Sequence, residues 1–188
     1  SHQHSQAELE AAIEALDWAK QSGRARFVGV SSHDRPHLKK LIETYPEQLD
    51  VILTPYTANT TVVTDESGLW STVSKHDLGW FGIKPFASNS LFKGDSSPNS
   101  PTKEEDNKLA RLTIRAILSN PAITAPIPGL ISIPQVDNCL KAIAERREQD
   151  LQAATPAILK DARLASAADE MWHRLPTDYQ WLRTWEWV

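Results

Sequence analysis

Four apolar runs decide the fold: Phe27-Val-Gly-Val-Ser31, Val51-Ile-Leu-Thr-Pro55, Phe81-Gly-Ile-Lys-Pro85 and Ile123-Thr-Ala-Pro-Ile-Pro128. Small or polar residues close each run, and a helical pattern follows it. Strands buried on both faces read as continuous apolar runs, and strand–helix alternation implies parallel pairing through right-handed crossovers. The predicted fold class is α/β: four βα units, half of an eight-unit (β/α)8 TIM barrel.

The chain has 188 residues, enough for one domain with a sizeable core. The four units occupy residues 6–148, whereas a complete barrel needs roughly 250 residues. Four more units do not fit, and the chain starts at Ser1 without an initiator Met, so the sequence is expected to be truncated. A net charge of −4 and no basic stripe argue against a nucleic-acid partner. No run approaches the length of a membrane span, and no signal peptide is present at the N-terminus. The single Cys139 excludes an internal disulfide framework and a Cys-based zinc site. The six histidines show no metal spacing backed by carboxylates, so no metal is expected.

Ser5 and Glu8 form a capping box before a helix bearing Leu9, Ile13 and Leu16, stopped by Gly23. Pro36 suits a first helical turn, with Leu38, Leu41, Ile42 and Tyr45 on one face and Pro46 beyond the end. A polar loop from Tyr56 leads to a helix at about 66–77, with Gly79 at its end. The longest loop, Ala87 to Pro101, precedes a second capping box, Thr102 with Glu105, and a helix carrying Leu109, Leu112 and Ala116. Pro134 starts a helix bearing Val136, Leu140 and Ile143. Residues 1–149 are read as the half-barrel. Residues 150–188 are read as an extension packed on it, a helix at about 156–172 and a tail with Trp172, Trp181, Trp185 and Trp187, aromatics that bury against the domain or wall a substrate pocket.

Ligands in such barrels sit at the C-terminal ends of the strands, and phosphates favour the last two loops. Here those loops are 87–94 and 129–134. The first supplies hydroxyls and exposed amides suited to a pyrophosphate, and the second runs into a helix N-terminus. Each also reads as an ordinary polar loop. Lys84 can contact a phosphate, form a Schiff base, or simply extend its ammonium to water. Ser31, Ser32 and His33 close the first strand, where hydroxyls can hold a carboxamide while Asp34 caps the next helix.

Four segments in this order, Arg26-Phe-Val-Gly-Val-Ser-Ser-His33, Asp50-Val-Ile-Leu-Thr-Pro-Tyr56, Gly82-Ile-Lys-Pro-Phe-Ala87 and Ile127-Pro-Gly-Leu130 with Gln135-Val136, resemble the aldo-keto reductases. The likeness covers residues 6–145 and corresponds to that family's strands five to eight. It implies a barrel that binds NADP or NAD across its C-terminal face and passes hydride to an aldehyde or ketone. By the resemblance, Ser31 and Ser32 match a Ser-Asn pair that holds the nicotinamide carboxamide. Leu53 stands where many members carry a Gln, and Ile83 where many carry a stacking aromatic. Lys84-Pro85 is common after that position in some branches. Ala87, Ser88, Ser90 and Leu91 fall in the pyrophosphate loop. Gly129 and Leu130 stand where a Lys-Ser pair often grips a 2′-phosphate, Gln135 at a frequent Arg position, and Asn138 and Cys139 at an adenine-binding Glu-Asn pair. These departures leave no evident cation for a 2′-phosphate and leave NADP against NAD open.

The family's catalytic Asp, Tyr and Lys lie on its first three strands, which this chain does not contain, and its catalytic His ends the fourth. His2 lies near that last position and is not assigned the role. The expectation is therefore the cofactor-binding half of a cytoplasmic NAD(P)-dependent carbonyl oxidoreductase, inactive as it stands. The alternative is a non-catalytic half-barrel whose exposed strand edges associate with a second copy or a partner.

Overall fold

The computed structural model describes residues 4–57, 59–60, 68–95, 97–149 and 161–183. His2, the polar stretch 61–67, residues 156–160 of the expected last helix, Trp185 and Trp187 lie outside the described residues.

The chain opens with α1 (Gln6–Gln21). Ser5 caps it as a true capping box, and Gly23, at φ +71°, turns the chain away. Strand β1 (Gly29–Ser31) leads to α2 (Arg35–Thr44), whose first turn is capped by Asp34 accepting from the His37 N–H at 2.8 Å. Then come β2 (Val51–Pro55), α3 (Leu69–Lys75), β3 (Gly79–Ile83), α4 (Lys103–Ile117), β4 (Ala125–Ile127) and α5 (Ile133–Gln149). Helix α6 (Ala162–Arg174) and a 3-10 helix (Thr177–Leu182) follow. The strands form one parallel sheet in the order β1-β2-β3-β4, as expected for consecutive βα units.

Burial along the strands alternates. Ile52, Thr54, Trp80 and Gly82 are buried beneath the helices, while Val51, Leu53, Phe81 and Ile83 on the other face are only half-buried. The sheet is thus covered on one side, not two, because an arc of four strands has no opposite wall. One core cluster packs Ile52 and Trp80 against Leu38, Ile42, Leu69 and Ile117. A second joins the inner side of α4 to α6 and the loop after β3, through Leu91, Ile114, Leu164 and Met171.

Three sequence expectations need correction. Strand β3 begins at Gly79 and ends at Ile83, two residues earlier than read, so Lys84 and Pro85 lie beyond it. Lys84 adopts φ +55°, which breaks the strand there. The Thr102–Glu105 capping box does not form: the Thr102 hydroxyl instead donates to Asp106 at 2.8 Å. Asp106 also accepts from the Lys93 and Gly94 N–H groups, so it gathers the end of the long loop in place of a cap. Helix α5 turns Val136, Leu140 and Ile143 outwards. Its inner side meets α4 through Ala142 and polar ties, with Arg111 Nε and Arg115 Nη1 at 2.8 and 3.4 Å from Glu145. Among the described residues no helix is long and apolar enough to cross a membrane.

Candidate functional site

Two depressions run together along the C-terminal ends of β3 and β4. One, of about 380 Å³, is lined by Ile83, Lys84, Pro85, Ser88, Gly129 and Tyr179, among others. The other, of about 450 Å³, lies between the long loop and the start of α5 and includes Lys103, Asp106, Gly129, Gln135, Asn138 and Cys139. Phe86, Asn89 and Gly129 border both, so the two form one groove. Gly129 leaves it open, since a Cβ there would meet nothing within 4 Å.

The loop after β3 is wound tightly. Lys84, Ala87, Ser88 and Asn89 all have left-handed backbone, at φ between 45° and 68°. Such a run is sparsely populated for non-glycine residues and persists only where its surroundings hold it. Here the C-terminal segment does so: Arg174 donates from Nε to the Ser90 carbonyl at 2.8 Å and from Nη2 to the Leu91 carbonyl at 3.1 Å. The Ser90 hydroxyl donates in turn to the Arg174 carbonyl at 3.3 Å.

The candidate residues divide into three groups. Lys84, Pro85, Ser88, Gly129 and Gln135 border the groove. Ala87, Ser90 and Leu91 are buried beneath it and shape the loop without lining it. Asn138 lines the groove but is fully engaged: it accepts from Arg111 Nη1 at 2.7 Å and donates to the Asn107 carbonyl at 3.0 Å. Gln135 accepts from the Ile131 N–H at 2.7 Å, which fixes the turn into α5. Burial pushes the neighbouring Cys139 thiol up, away from thiolate chemistry.

Ser31 and Ser32 stand apart, at the end of β1. The Ser32 N–H donates to the Leu53 carbonyl at 3.1 Å, and its Oγ accepts from the Asp34 N–H at 3.1 Å, so this hydroxyl serves the capping turn. Tyr56, at the end of β2, is buried; its hydroxyl accepts from Asn120 at 2.9 Å and its ring meets Trp80 edge-on.

Sequence reasoning singled out Trp181 in the tail but not the partners it meets over the strand ends. Trp181 stacks on His33, and the Lys84 ammonium lies 4.5 Å from the Tyr179 ring centroid and 5.7 Å from that of Trp181. The Lys84 side chain is thus turned onto these two rings in a cation–π arrangement. Lys103 was also missed; among the described residues it is the cation that lines the larger depression. Its place on α4, far from the loops expected to carry it, left no sequence signal.

The chain matches no protein-family model and no curated protein. Its backbone superposes on the holo form of the aldo-keto reductase AKR11C1 from Bacillus halodurans with a TM-score of 0.59 at 16% sequence identity. The likeness is one of fold, to part of a (β/α)8 barrel. The match covers 88% of this chain and 58% of that one, so the chain spans less than two thirds of the reductase it resembles. The open four-stranded sheet is the corresponding arc of a (β/α)8 barrel. The groove lies at the C-terminal ends of the strands, where (β/α)8 barrels place their ligands.

Proposed function

We propose that this chain is the cofactor-positioning part of an NAD(P)-dependent carbonyl oxidoreductase. The observation that carries this reading is the continuous groove between the left-handed loop 84–89 and the N-terminal turn of α5. Its donor set suits a dinucleotide. The left-handed backbone curls the loop into a concavity of the kind that binds anions, Gly129 leaves room, and the helix terminus favours an anion. The likeness to a reductase in its holo form supports the same cofactor class.

Lys84, Ser88 and the backbone of Asn89 would hold the pyrophosphate, with Gln135 and Lys103 towards the adenosine end. Ser31 and the half-buried Leu53 and Ile83 would border the nicotinamide end. The bound cofactor supplies hydride for reduction of an aldehyde or ketone. This chain's residues orient it and exclude water beneath the Tyr179–Trp181 roof. By the resemblance, the family's catalytic Asp, Tyr and Lys have no counterpart in this sequence, so the chain is proposed to bind cofactor in the cytoplasm without turning over substrate.

Titration with NADPH and NADH, followed by cofactor fluorescence and protein melting, tests the reading. A ligand at 100 times its Kd stabilises by about 2.7 kcal/mol. Saturable binding without carbonyl reduction is the expected result; no binding by a well-folded chain sinks the proposal.

A further inference from the structure

The described surface is apolar where a soluble protein is ordinarily polar, along both margins of the sheet. On the β4 side, Ile133, Val136, Leu140 and Ile143 follow one another at spacings of three, four and three along α5. That spacing is the seam of a packed helix pair. Yet Ile133 is 77% exposed, Leu140 63%, and the neighbouring Ile131 84%. With Ile127 and Leu130 these side chains expose on the order of 600 Å² of apolar area, the upper end for a monomer's largest patch. Standard interfaces bury about 800 Å² per partner, so the patch and its rim suffice for one.

The β1 side is complementary in shape. The outer face of α1 presents Ala7, Ala11 and Ala15, all exposed, followed by Trp18 at 56% and, just before β1, Phe27 at 66%. Small residues on α1 leave room for large ones on α5. Exposed Glu10 and Glu14 flank the alanines, while exposed Asp137 and Lys141 both flank Leu140, so the α5 margin is mixed in charge and shape carries the pairing. Strands β1 and β4 each pair on one side only among the described residues. Between these margins, Val51, Leu53, Phe81 and Ile83 line a concave face that is only half-buried.

We infer that the occupant is a second copy of this chain, placed head to tail so that α5 and β4 of each copy meet α1 and β1 of the other. Four strands and four strands make eight, the number at which a parallel βα sheet closes. A two-fold arrangement forms the same seam twice and leaves no open edge. It also buries the two concave faces against each other, which pairing through α5 alone does not. Ile127, Leu130 and Ile131 also border the groove, so the mass is read without cofactor, and a failed titration leaves that reading of mass unaffected.

Light scattering coupled to size exclusion, with sedimentation velocity across the micromolar range, tests it. The expected species is twice the 21.0 kDa chain mass. Leu140→Glu on one margin and Ala15→Arg on the other each alter an exposed side chain, so both variants keep the wild-type helical signal and melting behaviour of a folded chain. Each alone is expected to run as a single chain. Mixed together they are expected to recover a dimer, because one seam is then native and the other sets Glu against Arg. A monomeric wild type, open-ended oligomers, or a dimer that either variant leaves intact would overturn the inference. So would two monomeric variants that fail to pair on mixing.

Discussion

The indole of Trp181 lies face to face with the imidazole of His33, centroids 4.0 Å apart and planes 15° from parallel. Burial, and after it the Lys84 ammonium, holds His33 below its ordinary 6.5. The unfolded chain therefore takes up the proton first as the pH falls. Stability from this site is complete above pH 6.5 and is lost as pH drops through the lower folded value. A proton NMR titration is expected to place His33 below 6.5 in the wild type and closer to it in Trp181→Ala. Equal values in both proteins would show that the stack does not exclude water from the ring.

Gly29 sits where β1 and β2 approach so closely that an added Cβ would collide with the Val51 carbonyl oxygen. Gly29→Ala must push the strands apart, and overpacking of this kind costs about 1–3 kcal/mol. Urea melts are expected to show that loss. Gly129→Ala, which meets open space, is expected to stay within about 0.5 kcal/mol of the wild type.

Asn138 bridges α5 to Arg111 and the Asn107 carbonyl with both ends of its amide. Asn138→Ala removes two hydrogen bonds to half-buried partners, at about 1 kcal/mol each. Melting should fall while NADH affinity stays near the wild-type value. Intact stability with lost affinity would make Asn138 a ligand contact instead of a strut.

Among the described residues Lys103 is the cation lining the larger depression, and its Nζ lies 3.3 Å from the Pro98 carbonyl, within reach of solvent. If the adenosine end lies there, Lys103→Ala weakens NADPH by about 3-fold, the worth of an exposed charge pair, and leaves NADH unchanged. Parallel fluorescence titrations of the two cofactors measure this. Equal weakening of both would place the 2′-phosphate elsewhere.

The four βα units, their parallel order and the caps at Ser5 and Asp34 were legible because each rests on a local pattern a few residues long. What was not legible depends on distant partners. The Thr102–Glu105 spacing matches that of Ser5–Glu8, yet only the latter forms a capping box, since Asp106 competes for the Thr102 hydroxyl. An apolar run cannot announce that its last two residues, Lys84 and Pro85, leave the strand through left-handed backbone. Helical spacing marks Val136, Leu140 and Ile143 as one face without saying which neighbour that face meets. The ties from Arg174 to Ser90 and Leu91 join residues more than eighty positions apart, beyond any local pattern, though they shape the loop most central to the groove.

Because the sheet runs β1-β2-β3-β4, every strand leans only on its neighbours in sequence. Energetically the chain resembles a short stack, in which stability is the sum of couplings between adjacent layers. Opening then starts at the outer layers and travels inwards, so backbone amides of β1 and β4 should exchange with solvent well before those of β2 and β3. Adding a layer at either margin would slow exchange in the layer beside it, with no contact to the centre required.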